Sequence, residues 1–323
     1  MQTRFITTDE EIIILKEDWD RLTASRPETD MPFYSWDWFY RSWIHFGKPE
    51  GQELFVVAVY EENQLVGILP LVRGSRKSSG MTYRTLRFCA VGLMPRNTFY
   101  TDARQDQEPI FRAAWDHLFE NRSVWDMLEL ANVPDTNPFH RFVLDGKHDT
   151  KYALIQKQGF IAPFIELTST LEDYMDTLSR GTRKDNRRRI NRFNEAGYSR
   201  LVRFFDKPEE VKEGLKYLET VHNNSWKGAY TNQHYPQFYQ EITPVLVERG
   251  EAKIAILFLD DESICGGYML CKNATWYGII TDYDQKYQEY SPGIVLLNYQ
   301  LEHLLKEGGK IFRSNGSQNV FPE

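Results

Sequence analysis

Residues 39–67, FYRSWIHFGKPEGQELFVVAVYEENQLVG, and residues 238–266, FYQEITPVLVERGEAKIAILFLDDESICG, align without a gap at a shift of 199. Phe39-Tyr40 falls on Phe238-Tyr239, Gly51 on Gly250 and Gly67 on Gly266, while Glu61-Glu62 falls on Asp260-Asp261 and the apolar runs 54–60 and 253–259 coincide. Four identities in 29 positions carry little by themselves. The punctuation carries more: each copy reads as aromatic helix, glycine stop, apolar strand, acidic turn and second apolar strand. One α/β unit written twice is the simplest explanation.

The 323 residues accommodate two domains of about 150 each, placed at 1–160 and 161–323. With 41% hydrophobic and 14% aromatic residues the chain can fill two cores, and a net charge of -7 argues against binding nucleic acid with the whole surface. Cys89, Cys265 and Cys271 are scattered in apolar runs and read as reduced core residues. Met1 to Glu11 is polar and acidic, and no apolar run approaches the roughly 20 residues of a membrane span, so the expected compartment is the cytoplasm.

Outward from the repeat, the first half predicts helices at 9–24 and 35–46, a hairpin of strands 54–60 and 65–72, a loop at 73–80 without apolar residues, and strands 86–91 and 126–131 around a helix at 107–121. In the second half Ser169 and Glu172 form a capping-box pattern, and a basic helix at 182–195 stops at Gly197. Strands follow at 200–205, 253–259, 264–271 and 275–281, with helices at 209–222 and 236–248. The last long helix runs from Ser291-Pro292-Gly293 to Gly308-Gly309, before a strand at 310–313. This order predicts an α/β fold with a mixed sheet, built twice.

Chemistry points to 275–307. Serine suits an N-cap, proline the first helical turn, and Gly293 permits close approach to the backbone, so the amides from Ser291 to Ile294 and the helix dipole form a receptor for a phosphate or pyrophosphate. The same tripeptide also serves as an ordinary well-capped helix start. The matching region of the first half, Gly92 to Pro109, is longer and lacks it. A second candidate is the run Arg180, Arg183, Lys184, Arg187, Arg188, Arg189 and Arg192 against the lone acid Asp185, which suits either an anionic partner or a solvated helix face. No zinc spacing, Gly-x-Ser-x-Gly or Walker sequence occurs, so no metal is expected.

The motifs Leu178-Ser179, Arg183-Lys184, Arg187-Arg188-Arg189, Gly197, His222 with Ser225-Trp226-Lys227-Gly228, Tyr283-Asp284-Gln285 and Tyr290-Ser291-Pro292-Gly293 resemble, in that order, the bacterial CelD/BcsL-type acyltransferases. These are a branch of the GNAT superfamily of N-acetyltransferases close to the Fem peptidyltransferases. Trp36 to Trp43 and Leu65 to Leu71 look like that family's opening segment. The resemblance implies two tandem GNAT-like domains and an acyl group, acetyl or longer, carried on coenzyme A, with its pantetheine arm along splayed strands and its pyrophosphate at Tyr290, Ser291, Pro292, Gly293 and Ile294. Only Gly293 and its helix start correspond to the superfamily's Arg/Gln-x-x-Gly-x-Gly/Ala loop. The tail carries Arg313 and Asn315-Gly316-Ser317-Gln318 where many relatives have an aspartate and then a lysine.

Acyl transfer from a thioester needs a base for the attacking amine or hydroxyl and donors for the oxyanion. Asp282, Asp284 and His222 are the candidate bases, each with an ordinary alternative as loop acid or helix cap. Tyr287 is a candidate acid for the leaving thiolate, Trp226, Lys227 and Tyr283 candidate acceptor contacts, and Arg187 and Arg188 candidate ligands of the coenzyme's 3′-phosphate. The acceptor is read as a small molecule or saccharide, and the 180–192 helix as a surface for an acyl carrier protein or transfer RNA. Two rival readings stand beside this one: a Fem-like transferase using aminoacyl-tRNA, and a noncatalytic binding module that retains the fold.

Overall fold

A computed structural model describes residues 1–78, 80–89, 94–145, 153–157, 159, 162–167, 169–195, 200–228 and 234–314. The Gly197 helix stop and the Asn315 to Gln318 tail lie outside them. The chain forms two compact units, Met1–Phe160 and Ile161–Glu323.

The first unit runs β1 (Gln2–Ile6), α1 (Asp9–Ile14), α2 (Lys16–Ala24), α3 (Trp36–Ser42), β2 (Glu53–Leu54), β3 (Val56–Glu61), β4 (Gln64–Leu69), β5 (Leu71–Ser78), β6 (Met81–Phe88), β7 (Tyr100–Thr101), α4 (Gln107–Glu120), β8 (Met127–Glu129) and α5 (Pro138–Asp145). Its strands form two sheets, β1-β3-β4-β7 and β2-β5-β6-β8. Pro70 separates them because it donates no ladder hydrogen bond. Val57, Val59, Phe99, Phe111, Trp115 and Phe139 share its main core.

One expectation fails here, and one strand is not foreseen. The 73–80 stretch is strand as far as Ser78, paired along its length with β6. Its arginines sit on a ribbon whose acids answer them, Arg73 with Glu53 and Arg76 with Glu129. The polar N-terminus is a strand as well, in register with β3 from Gln2 opposite Tyr60 to Ile6 opposite Val56.

The second unit runs β9 (Phe164–Glu166), α6 (Leu171–Thr177), α7 (Arg180–Glu195), β10 (Arg200–Phe205), α8 (Val211–Asn224), α9 (Tyr235–Glu248), β11 (Ala252–Leu259), β12 (Glu262–Lys272), β13 (Thr275–Tyr283), α10 (Pro292–Lys306) and β14 (Ile311–Ser314). One six-stranded sheet, β10-β11-β12-β13-β14-β9, carries it, and only β13 and β14 run parallel, joined through α10. The capping box at α6 is one residue later than expected: Thr170 caps and Asp173 reciprocates. Both units are mixed α/β, and no helix among the described residues is long and apolar enough to cross a membrane. All three cysteines are buried and unpaired, and burial pushes the Cys89 thiol up to about 12.

The repeat is physical, but its register differs from the sequence alignment. Gly51 and Gly250 both stop their helices with left-handed backbones, φ 68° and 69°, at a shift of 199. In the hairpins the shift becomes 198. Val59 pairs Gly67 and Leu257 pairs Cys265, each just before the ladder slips past one residue, Val66 or Ile264. Phe55, between β2 and β3, is the extra residue of the first copy. Gly67 therefore corresponds to Cys265, and its match with Gly266 is accidental.

Gly266 has its own reason. Its absent Cβ would lie 2.8 Å from Leu218 Cδ1 and 3.2 Å from Ile256 Cδ1, so glycine lets α8 settle onto the sheet. Gly267, on the opposite face, makes the same room for Gln300 of α10. Gly266→Val is expected to cost about 1–3 kcal/mol by overpacking. The measurement is a urea midpoint that falls with the slope unchanged; an unmoved midpoint would show that α8 has slack.

Candidate functional site

α8 approaches the sheet through Val211, Gly214, Leu218 and Val221 and brings its last turn over the end of β13. Asp282 stands opposite Gly266 in the ladder, on the face α8 covers, and its side chain is only 1% exposed. Its two oxygens are separately taken. Oδ2 lies 2.6 Å from His222 Nδ1, and Oδ1 lies 2.8 Å from Lys227 Nζ, which also donates to the Thr281 carbonyl at 2.9 Å. A carboxylate on Nδ1 selects the tautomer with its proton there, leaving Nε2 as the basic nitrogen. The arrangement can therefore orient an imidazole for proton abstraction.

Asp284 has a different task. One oxygen accepts from the Lys286 amide at 2.9 Å, starting the 3₁₀ turn Gln285–Tyr290, and the other accepts from Asn224 Nδ2 at 3.0 Å. Two acids two residues apart are thus divided between a buried charge pair and a turn cap.

Strand alternation separates the remaining candidates. Tyr283, Tyr287 and Tyr290 pack with Leu296, Leu301 and Leu304 on the α10 side, away from Asp282. Tyr287 donates its hydroxyl to Glu262 Oε2 at 2.5 Å, and that carboxylate raises the phenol's pKa by holding its proton. This commitment argues against Tyr287 as an acid. Trp226, by contrast, is 50% exposed, with Lys227 Nζ 6.0 Å from its ring.

At the start of α10, Ser291 adopts left-handed backbone, φ 51° and ψ 51°, and makes no capping bond. Its Oγ instead accepts from Arg189 Nη1 at 2.9 Å, and Arg192 Nη1 donates to the Glu289 carbonyl at 3.3 Å. Among the four amide positions expected to receive a phosphate, Pro292 has no hydrogen, Ser291 donates to Gln288, and Ile294 donates to the Ser291 carbonyl. Gly293 alone keeps its amide available among the described residues. A Cβ there would meet only Thr281 Cγ2, at 3.8 Å, so the approach to it is open. Arg188 and Arg189 both pair with Asp185 and Arg187 is exposed; the arginines that also reach this helix start are Arg189, through Ser291, and Arg192, through the Glu289 carbonyl. Beside it, among the described residues, β13 pairs with β14 from Thr275 to Gly278, the β12 ladder skips Ile279, and Ile280 to Tyr283 pair with β12 alone. Sequence reasoning missed Asn224 and Glu262, since neither carries a spacing signal, and passed over Arg189 within its basic run.

The corrected register locates the equivalent position in the first unit. Asp102 donates its amide to the Val66 carbonyl as Asp284 does to that of Ile264, accepts from the Arg104 amide as Asp284 does from that of Lys286, and is held by Arg21 where Asp284 is held by Asn224. Two residues before each member of these pairs, the second unit has His222 on Asp282. The first has Trp19 against Tyr100, ring centroids 5.7 Å apart and both fully buried. Where one unit has a hydrogen-bonded histidine–aspartate pair, the other has an aromatic plug.

Residues 180–319 match the family model of an acetyltransferase (GNAT) domain. No curated protein matches the chain. Among solved structures, FemX is similar at TM-score 0.55 and 11% identity, over 100% of this chain and 90% of that one. A conserved protein of unknown function from Bacteroides thetaiotaomicron VPI-5482 is similar at TM-score 0.53 and 11% identity, over 96% and 90%. The C-terminal DUF2156 domain assigned to a lysylphosphatidylglycerol synthetase of Agrobacterium fabrum is similar at TM-score 0.52 and 13% identity, over 92% and 78%. At such identities the likeness is one of fold.

Proposed function

We propose, on the premise that residues 180–319 form a domain of the GNAT superfamily, that the second unit moves an acyl group from coenzyme A to an amine or hydroxyl of a small molecule or saccharide. The observation that carries this reading is the His222–Asp282 pair at the end of β13. In the proposed reaction His222 Nε2 takes the proton of the attacking nitrogen or oxygen as that atom bonds to the acyl carbon, and the thiolate of the donor departs. Asp282 stabilises the resulting imidazolium. The residues at the start of α10 fit one phosphate contact, through the Gly293 amide, with Arg189 and Arg192 supplying positive charge. The parallel strands β13 and β14, which among the described residues pair no further than Gly278, offer backbone groups along which a pantetheine arm would lie. The first unit is assigned no general base, because Trp19 and Tyr100 fill the equivalent of the dyad.

Thermal denaturation with acetyl- and longer acyl-coenzyme A tests the reading. At 100 times Kd the donor is expected to add about 2.7 kcal/mol of stability, visible as a raised Tm. Arg189→Glu should shrink that increment. Transfer RNA raising Tm in a strongly salt-dependent way, with coenzyme A inert, would replace this reading with the aminoacyl-tRNA one. Neither ligand acting would leave a binding module.

A further inference from the structure

We propose that the outer face of α7 docks an acidic helix of a phosphopantetheine-bearing carrier protein, and that the second unit takes its acyl thioester from that carrier's arm. The contact is argued from α7 itself; the choice of a carrier rests on the reading of the α10 start as the donor's phosphate site.

Seven cations against Asp185 and Glu195 give α7 a formal charge of +5 in a chain of -7, so the rest of the chain carries -12. The helix divides its charges by face. Toward α10, Arg189 and Arg192 reach Ser291 and the Glu289 carbonyl. Arg183 pairs with Asp176 of α6 on one flank, and Arg188 with Asp185 on the other. Between the flanks Arg180, Lys184 and Arg187 follow one another at spacings of four and three, a single stripe within about 60° of the helix surface. All three are exposed, and none pairs with an acid among the described residues. The residues outside that set hold two acids in all, Asp149 and Glu323. Like charges so spaced oppose the helix unless an anion answers them.

The shape of the stripe selects the anion. Its cations rise about 6 and 4.5 Å along the axis, the interval at which a second helix presents acids four and three residues apart. No exposed position of α7 carries a large apolar side chain, so the face has nothing to bury in a bilayer surface. An RNA backbone would run past three cations onto a chain whose remaining charge repels it.

The opposite face of α7 ties the stripe to the donor. Coenzyme A brings a diphosphate and a 3′-phosphate, whereas the start of α10 offers one free amide, that of Gly293, with Arg189 and Arg192. Arg187, expected at the 3′-phosphate, belongs to the outer stripe instead. A phosphopantetheine arm has a single phosphodiester and ends in the same thioester. Stripe and phosphate contact are separated by one helix diameter, roughly 10–12 Å. The bonds exchanged are those given above: the acyl carbon leaves the arm's sulfur for the acceptor's nitrogen or oxygen, the acceptor's proton passes to His222, and the arm departs as thiolate.

The experiment is calorimetric titration of the full chain with an acyl carrier protein of fatty-acid synthesis, in its apo form without the arm and in its acylated form. Transfer RNA and phosphatidylglycerol vesicles are the comparators. Both carrier forms are expected to bind, more weakly as ionic strength rises from about 0.05 to 0.2 M. Arg180→Glu/Lys184→Glu/Arg187→Glu is expected to weaken binding about tenfold or more, and the same three changed to Gln by less. Lys207→Glu/Lys212→Glu/Lys310→Glu, which changes the net charge equally on other parts of the unit, should leave it within about twofold. An unchanged Tm checks that each variant folds. Carrier binding that is absent, or that the stripe variants leave intact, overturns the proposal. So does transfer RNA or vesicle binding through the same three residues in place of the carrier. Transfer from acyl-coenzyme A without carrier binding keeps the acyltransferase reading and removes this one. Apo carrier held by the stripe in a protein that transfers from neither donor keeps the docking face and removes the acyltransferase reading.

Discussion

His222→Gln is expected to lower kcat/KM for the proposed acyl transfer by about 10²–10⁴-fold, the range a positioned general base contributes. The loss is expected on kcat, because in the proposed reaction Nε2 acts on the proton that moves and adds little to binding of the resting acceptor. Asp282→Asn is expected to fall in the same range. Its amide can keep a hydrogen bond to Nδ1, but it carries no charge to stabilise the imidazolium and leaves Lys227 without its counter-ion. Because the pair works as a unit, the double variant should be little worse than either single one. Steady-state kinetics at saturating donor decide it. Retention of more than about a tenth of wild-type kcat in His222→Gln would remove His222 from the mechanism.

Trp19→Ala is the largest expected change in stability, about 3–5 kcal/mol. The indole is fully buried, packs on Phe39 at 4.7 Å and Tyr100 at 5.7 Å between centroids, and donates Nε1–H to the Tyr34 carbonyl at 2.9 Å. The substitution leaves a cavity and an unanswered carbonyl together. Urea unfolding followed by tyrosine and tryptophan fluorescence measures it, with the first unit's transition moving to lower urea. A cost below about 1 kcal/mol would mean that the surrounding rings collapse into the space, and that the aromatic plug is not a rigid part of the unit.

Hydrophobic period and turn chemistry are local, so most helices, the central hairpins and the glycine stops could be read directly from the residues. Elements stabilised by partners far along the chain could not. Gln2 to Ile6 alternates too weakly to be recognised as a strand and becomes one because β3 offers it a ladder. The polar ribbon at 73–78 is strand for the same reason. Ser291 has the right side chain for a cap, but its hydroxyl goes to Arg189, 102 residues earlier, and no local rule contains that competition.

Sequence alone determined that the unit is written twice, that each copy is mixed α/β, and that His222, Lys227 and Asp282 belong among the residues to watch. Tertiary structure decided which of them meet. Strand alternation placed Asp282 and Tyr283 on opposite faces, and the missing Cβ of Gly266 brought α8 close enough for His222 to reach a carboxylate 60 residues away. It also decided the true register of the repeat, because a one-residue insertion at Phe55 leaves composition and pattern almost unchanged while shifting every hydrogen-bonded partner after it.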